Sequence, residues 1–196
     1  MEALSERETD NLCSLLSLGI NKLNHLSLLF SFTMFTPQIT SSFTSLLLSE
    51  KLRGLKDFTL NFSRSKSISN FAVEKIGESI SQNLMGLKRL SLSFGQFSGP
   101  REKQEGFKIE EISNEGLIKL GNALVKKQGG FERMMITIVG SSKIDDEGAK
   151  EFCEEVGLIE NLKRVFLRFS LCNNVTLEAQ NYVKEKLSNI NKVKQA

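Results

Sequence analysis

The chain has 196 residues, of which 40% are hydrophobic and 25% are charged, and its formal net charge is +3. These values are typical of one globular domain or one short repeat array, and so small a charge does not by itself indicate nucleic-acid or membrane binding. The longest apolar stretch near the N-terminus, residues 12–30, is interrupted by polar residues, which argues against a membrane span. The first ten residues carry four acids and one base, which predicts neither a secretory signal nor a mitochondrial presequence.

The first predicted element is a helix within residues 1–22. Leu12 and Leu16 are four residues apart, which places them on one helix face, and Ser5 is a candidate cap for the helix start. We expect this helix to cover the N-terminal end of the array that follows.

An eight-residue phrase then occurs five times, with large apolar residues at positions 1, 4, 6 and 8. The copies begin at Leu23, Leu55, Leu87, Phe131 and Leu162. Positions 4, 6 and 8 alternate with variable positions, which predicts a β-strand with one buried and one open face. The starts lie 32, 32, 44 and 31 residues apart, and a period of this length indicates stacked supersecondary units.

A helix is predicted between successive phrases and after the last one. An apolar residue followed by Ser, Thr or Asp marks each helix start, because these side chains accept a hydrogen bond from a free backbone N–H. The predicted caps are Thr40, Ser69, Ser113, Asp145 and Thr176. Apolar stripes with spacings of three and four follow, as in Val73, Ile76 and Ile80. The last stripe predicts a C-terminal cap helix at about residues 176–190.

A strand followed by a helix, repeated, requires parallel neighbouring strands and crossover connections of one hand. The predicted fold class is therefore α/β. We expect a curved, right-handed solenoid with a parallel sheet on its concave face and helices outside, built from about five strands and six helices. The whole chain, residues 1–196, is predicted to form this single domain.

The pattern Leu-x-x-Leu-x-Leu in the phrases resembles the leucine-rich repeat, over about residues 4–187. The long helical half resembles the ribonuclease-inhibitor-like subclass, as do the helix entries Ile112-Ser-Asn-Glu-Gly116 and Ile144-Asp-Asp-Glu-Gly148, and the repeats are similar to divergent ones of protists such as ciliates. The family usually has Asn or Cys directly after the strand. Here that position holds Ser31, Ser63, Gly95, Val139 and Ser170. We therefore expect an irregular inner turn, packed mainly through a column of Phe side chains at position 8.

The open strand face is the predicted binding surface, because solenoids bind partners along their sheet. From the third strand onward it combines arginines with Met and Phe, which is typical of protein interfaces. The predicted partner-binding residues are Asp57, Arg89, Arg133, Met135, Arg164, Phe166 and Arg168. A solvated face that merely tolerates arginine is the alternative interpretation.

The long connection at residues 95–108 is a second candidate. It accounts for the 44-residue spacing and is rich in Gly and mixed charge, which predicts a surface loop that the repeat does not require. Such a loop is either functional or a mobile insertion, and we favour the mobile loop.

No enzyme motif is present: the chain has no P-loop, no GxSxG and no HExxH, and His25 is its only histidine. We therefore predict no catalytic residue, no metal site, no cofactor and no small-molecule substrate. Cys13, Cys153 and Cys172 are widely spaced, which indicates free thiols in a reducing, cytoplasmic environment. A cytoskeletal, ciliary or organellar assembly is compatible with this interpretation.

The leading hypothesis is a non-enzymatic protein-interaction scaffold, a subunit of a larger assembly, that binds through the concave strand face and the 95–108 loop. The arginines would suit a protein partner with an acidic surface, and no membrane partner is expected. The first alternative is a nucleic-acid-associated subunit of a ribonucleoprotein, in which the arginines neutralise phosphates. The second, by fold analogy alone, is a regulator of a GTPase or of a ubiquitin ligase.

Overall fold

The computed structural model describes residues 6–19, 23–30, 36–62, 68–95 and 112–192, and within these ranges six α-helices alternate with five β-strands. The helices are α1 (Glu6–Gly19), α2 (Pro37–Leu47), α3 (Asn70–Asn83), α4 (Asn114–Val125), α5 (Asp146–Gly157) and α6 (Leu177–Lys192). The strands are β1 (His25–Leu29), β2 (Asp57–Phe62), β3 (Arg89–Gly95), β4 (Arg133–Val139) and β5 (Arg164–Ser170). Residues 96–108 of the predicted insertion lie outside the described ranges, as do Ser5, Ser31 and Ser63.

The five strands form one parallel sheet in the order β1-β2-β3-β4-β5. The register pairs residues of equal phrase position, so that Leu26 lies beside Phe58 and Phe58 lies beside Leu90. Each repeat therefore advances the chain by one strand, and each phrase position becomes a straight row across the sheet. The predicted fold class, an α/β solenoid of the leucine-rich-repeat kind, is confirmed.

One continuous core lies between the sheet and the helices. The predicted stripes of α3 to α6 lie in it and are at most 4% exposed, while Leu12 and Leu16 of α1 are partly buried against it. The stripes of α3 to α6 comprise Val73, Ile76, Ile80, Leu117, Leu120, Leu124, Ala149, Phe152, Val156, Ala179, Val183 and Leu187. Spacings of three and four residues bring these side chains onto the helix face that meets the strands.

The Phe side chains at position 8 stack across the first three strands. The rings of Phe30 and Phe62 lie 5.4 Å apart, and those of Phe62 and Phe94 lie 6.1 Å apart, with interplanar angles near 20°. Phe43 of α2 meets Phe30 and Phe62 edge-on. The predicted Phe packing is thus confirmed for these strands, while β4 continues the row with Ile138.

Four of the five predicted caps directly precede a helix, but Thr40 does not. The cap of α2 is Thr36, whose Oγ1 accepts a hydrogen bond from the Ile39 N–H at 3.3 Å. Thr40 lies inside the helix, where its hydroxyl donates to the Thr36 carbonyl at 3.0 Å. The deciding signal is Pro37, since proline favours the first position of a helix and has no N–H to satisfy there.

Hydrogen bonds join successive helix entries along the rim where the strands end. The amide of Asn70, the first residue of α3, donates to Ser113 Oγ at 2.7 Å, and its oxygen accepts from the Ser113 N–H at 2.9 Å. Asn114, the first residue of α4, makes the same pair of bonds to Asp145, at 2.8 Å and 3.2 Å. We call this series the helix-entry ladder.

The helix-entry ladder continues to α6 with a carboxylate in place of the amide. Asp146 accepts hydrogen bonds from the Thr176 N–H at 2.6 Å and the Thr176 hydroxyl at 2.7 Å. These bonds lower the pKa of the Asp146 carboxyl, because they favour its charged form. The adjacent Asp145 instead caps its own helix by accepting from the Gly148 N–H at 3.1 Å.

The ladder also explains the glycines two residues after Asn114 and after Asp146. A Cβ added at Gly148 would lie 2.0 Å from Asn114 Oδ1, and one added at Gly116 would lie 2.3 Å from Asn70 Oδ1. The Asn side chain therefore occupies the space that any larger residue would need. This packing accounts for the Ser-Asn-Glu-Gly and Asp-Asp-Glu-Gly entries.

Gly148→Ala is expected to lower the free energy of unfolding by about 1–3 kcal/mol, since the new methyl group must displace Asn114 and break its two bonds. Urea denaturation followed by circular dichroism measures the change. Gly157→Ala in the same helix is the control, because nothing lies within 4 Å of the added Cβ. Equal effects at both glycines would contradict the role given to Asn114.

Candidate binding surface on the open sheet face

Positions 3, 5 and 7 of the phrases form three rows on the side of the sheet that faces away from the helices; we call this side the open face. The position-3 row is His25, Asp57, Arg89, Arg133 and Arg164. The position-5 row is Ser27, Thr59, Ser91, Met135 and Phe166. The position-7 row is Leu29, Asn61, Ser93, Thr137 and Arg168. The structure thus brings all seven predicted site residues onto one surface.

The first part of the position-3 row contains an ionic cluster. The carboxylate of Asp57 accepts hydrogen bonds from Nε and Nη2 of Arg89, and His25 Nδ1 contacts the same carboxylate. Only 18% of the Asp57 side chain is exposed. The charge of Arg89 is therefore balanced within the chain.

The second part of the row, Arg133 and Arg164, has no such balance, and neither has Arg168 of the position-7 row. All three are exposed, and the structure shows no carboxylate partner for them among the described residues. Arg89, Arg133 and Arg164 are register neighbours, and adjacent strands are about 4.8 Å apart. Like charges in adjacent positions repel each other, so an external anion would stabilise this arrangement.

Large apolar side chains stand beside these arginines. Met135 and Phe166 are register neighbours, and they are 46% and 55% exposed. The earlier members of their row are the smaller residues Ser and Thr, so large side chains project from the open face from β4 onward. A trough of about 310 Å³ lies next to them, over β2, β3 and β4. Its open-face lining consists of Asp57, Thr59, Arg89, Ser91, Arg133 and Met135.

We call Arg133, Met135, Arg164, Phe166 and Arg168 the arginine-rich half of the open face. Its residues occupy only β4 and β5. This half therefore combines unbalanced positive charge with exposed apolar surface.

A further row of charges at position 2 was not predicted as part of the site. Lys163 Nζ lies 3.1 Å from Glu132 Oε2, and this hydrogen bond is the main reason that the pKa of the Glu132 carboxyl is lowered. The charges of Lys88 and Arg89 lower it further. Lysine at position 2 of three phrases is the signal in the sequence that could have revealed this row of charges.

Lys127 is buried near Lys56 and Lys88 of this row, with 3% of its surface exposed. Its Nζ donates to the carbonyls of Gly130 at 2.9 Å and Gln128 at 3.2 Å, and it lies 5.0 Å from the centre of the Phe131 ring. Burial lowers the pKa of Lys127 to about 8, and the charges of Lys88 and Lys56 add to the effect. Nothing in the sequence distinguishes this lysine from the exposed Lys126 beside it.

The stability of the fold is expected to rise with pH because of Lys127. The unfolded lysine keeps its proton to about pH 10.5, whereas the folded one releases it near pH 8, so the unfolded state binds more protons between these values. The gain from about pH 7 to about pH 10 amounts to about 2 kcal/mol. Urea denaturation of the wild type and of Lys127→Met at both pH values measures it. An equal pH dependence in both proteins would contradict the assignment.

The described residues offer little support for other kinds of site. No helix in the described ranges is long and apolar enough to cross a membrane. No group of three or more His, Cys, Asp or Glu that could hold a metal ion occurs in the part of the chain that the structure describes. The three cysteines are buried and form no disulfide bond, and burial raises the pKa of Cys13 and of Cys153 to about 11. Both of these thiols therefore stay protonated at neutral pH.

The sequence matches no protein-family model and no curated protein. In fold, the chain is similar to a solved structure described as leiomodin-1 actin-binding site 2 (ABS2), with a TM-score of 0.60 and 15% sequence identity. The match covers 98% of this chain and 93% of the other. At this identity the likeness concerns the fold alone. It supports a leucine-rich-repeat-like solenoid over nearly the whole length.

Proposed function

We propose that this chain is a non-enzymatic protein-binding module whose partner docks on the arginine-rich half of the open face. The observation that carries the proposal is the contrast between the two parts of the position-3 row. Arg89 is paired with Asp57, whereas Arg133 and Arg164 have no recorded carboxylate among the described residues. A bound partner would supply the missing negative charge.

The exposed apolar side chains support a protein partner. Phe166 is 55% exposed on the last strand of the sheet, between Arg164 and Arg168. Aromatic residues and arginines contribute most of the binding energy at protein interfaces, because both bury much surface and arginine forms several hydrogen bonds. Covering Phe166 and Met135 would also remove apolar surface from water.

Further parts of the proposal concern the context of the module. We regard it as one subunit of a larger cytoplasmic assembly and as a member of the ribonuclease-inhibitor-like subclass, with divergent repeats of the protist kind. Three buried cysteines that form no disulfide bond suit a reducing compartment. The predicted role of the 95–108 loop in binding stays a prediction.

A photo-crosslinking amino acid, benzoylphenylalanine, tests the binding face when it replaces Phe166. The matched control replaces Phe71, a residue of α3 that is 52% exposed and lies away from the sheet. We expect position 166 to capture a protein from native extract that position 71 does not capture. Purified partner must then bind the wild type, and Phe166→Ala should weaken that binding by about 2 kcal/mol, as at an interface hot spot. Capture at both positions, or unchanged binding by Phe166→Ala, would refute the proposed face.

Actin filaments are one purified protein to include, because the similar solved structure is described as an actin-binding site. Co-sedimentation of the wild type and of Phe166→Ala with filaments measures this directly. The identity of 15% shows fold alone, so actin enters here only as a defined test partner.

Nucleic acid is the second candidate, favoured by the same unbalanced arginines. Binding to phosphates would weaken steeply as salt rises, since counterions are released on binding. A formal net charge of +3 is small for this role. A gel shift with single-stranded RNA at low and physiological salt distinguishes the two candidates.

A further inference from the structure

Resting on the proposed function, we infer that the partner contributes an extended acidic segment. In this segment a large apolar residue lies between two acidic residues at alternating positions, in the order acid, any residue, apolar, any residue, acid. The segment lies over β5, with its acids on Arg164 and Arg168 and its apolar residue on Phe166. The inference thus names the partner chemistry for the face proposed above.

The spacing on β5 is the first observation. Arg164, Phe166 and Arg168 are all exposed on the open face, at alternating positions of a regular strand. Alternate side chains of a strand are about 7 Å apart along it. An extended partner segment has the same spacing, so each acid can meet an arginine while the apolar side chain meets Phe166.

Asp57 shows how such a carboxylate is held. Within the same row it accepts hydrogen bonds from Nε and Nη2 of Arg89, which is the two-point geometry that makes arginine–carboxylate pairs strong. Arg164 occupies the same phrase position as Arg89, two strands further along. A partner carboxylate can therefore bind Arg164 as Asp57 binds Arg89.

The surroundings of Phe166 provide the apolar contact. Met135 is its register neighbour on β4, and the two side chains are 46% and 55% exposed. Together they form one exposed apolar surface across β4 and β5. The apolar residue of the segment would therefore lie on Phe166, with one side against Met135.

Charge favours a peptide over a nucleic acid here. The same sheet also carries carboxylates: Asp57 on the open face, paired with Arg89, and Glu132 directly before β4, paired with Lys163. Regularly spaced phosphates along a longer strand would meet these carboxylates, whereas two acids on one short segment would not. Single-stranded RNA is therefore an outcome of the test and not the proposal.

The test titrates the full chain with short capped peptides and follows its amide signals by nuclear magnetic resonance. The probe is Ser-Glu-Ser-Leu-Ser-Glu-Ser. One control peptide has the same composition with adjacent glutamates, Ser-Glu-Glu-Leu-Ser-Ser-Ser, and another replaces both glutamates with glutamine. We expect signals of β4 and β5 to shift, and both controls to bind at least about tenfold more weakly. Oligouridine of seven nucleotides is titrated in parallel.

Variants locate the binding site. Arg164→Gln and Arg168→Gln should each weaken binding of the probe peptide by about tenfold. Arg53→Gln is the matched control, because Arg53 is an exposed arginine in the turn after α2, near Glu50, and should leave binding unchanged. The amide spectrum shows whether each variant is folded.

The inference is overturned if the probe shifts no signal of β4 or β5 at low-millimolar concentration, if the glutamine peptide binds equally well, or if oligouridine binds the same residues more tightly. These outcomes differ from a failure of the proposed function. If crosslinking at position 166 still yields a partner that requires Phe166, the face is right and only the acidic segment is wrong. If crosslinking also fails, the proposed function fails with it.

Discussion

Gly130→Ala is expected to lower the free energy of unfolding by about 2–5 kcal/mol. Gly130 has a φ of +56°, and a Cβ at this position would lie 1.8 Å from the carbonyl oxygen of Glu160. The left-handed conformation alone costs an alanine about 1–2 kcal/mol, and displacement of the neighbouring backbone adds a cost typical of overpacking, about 1–3 kcal/mol. Urea denaturation followed by circular dichroism measures the loss.

Gly129→Ala separates the two contributions. Gly129 also has a positive φ, +73°, but nothing lies within 4 Å of its added Cβ. This variant should therefore show the conformational cost alone, about 1–2 kcal/mol. If the two variants are equally destabilised, the close approach to Glu160 does not matter.

Phe62→Ala is expected to lower the free energy of unfolding by about 3–5 kcal/mol, the usual range for a large aromatic residue removed from a core. Phe62 is fully buried, stacks between Phe30 and Phe94, and also meets Phe43 edge-on. Its removal would leave a cavity and end the stack. For a protein of this size the midpoint of thermal unfolding should fall by about 10 °C.

Two controls accompany this prediction. Phe62→Leu keeps most of the volume and should cost less than half as much, because little cavity remains. Phe166→Ala removes an exposed ring and should change stability by less than about 0.5 kcal/mol. A loss at Phe62 no larger than that at Phe166 would show that the stack does not stabilise the fold.

The fold was predictable because its signals are local. Alternation at positions 4, 6 and 8 is legible within a single phrase, and the stripe of α3 is legible within eight residues, from Val73 to Ile80. At the start of α2 two local signals conflict, and the predicted cap, Thr40, follows the weaker one. The pair Ile39-Thr40 looked like a helix entry, but Pro37 fixes the start one turn earlier.

The contacts between repeats were not predictable in the same way. The bonds from Asn70 to Ser113 and from Asn114 to Asp145 join residues 43 and 31 positions apart, and no local pattern states the register. Leucine-rich repeats usually have asparagine directly after the strand. This chain has Ser, Gly or Val at that position, and asparagine is found at helix entries instead. An amide suits the first two steps because it both donates and accepts, whereas Asp146 only accepts from Thr176.

The candidate surface was half predictable. Placing the seven residues on one face required only strand alternation and a common period, and the register confirms that placement. The four arginines, however, were treated as one group. The pairing of Asp57 with Arg89 separates Arg89 from the other three arginines. Such an ion pair depends on which residues become register neighbours and on the side-chain geometry.

The helix-entry ladder has a consequence for the connection between β3 and α4. Ile112 and Ser113, directly before α4, are held by neighbouring repeats. Ser141 Oγ donates to the Ile112 carbonyl at 2.6 Å, and the side chain of Asn70 forms hydrogen bonds with Ser113. The entry to α4 is thus positioned by other parts of the molecule and not by the length of chain leading to it. Because closing a longer loop costs little additional entropy, residues can be added there at small cost to stability. This connection is therefore the natural place to graft a foreign domain or an epitope tag onto the array.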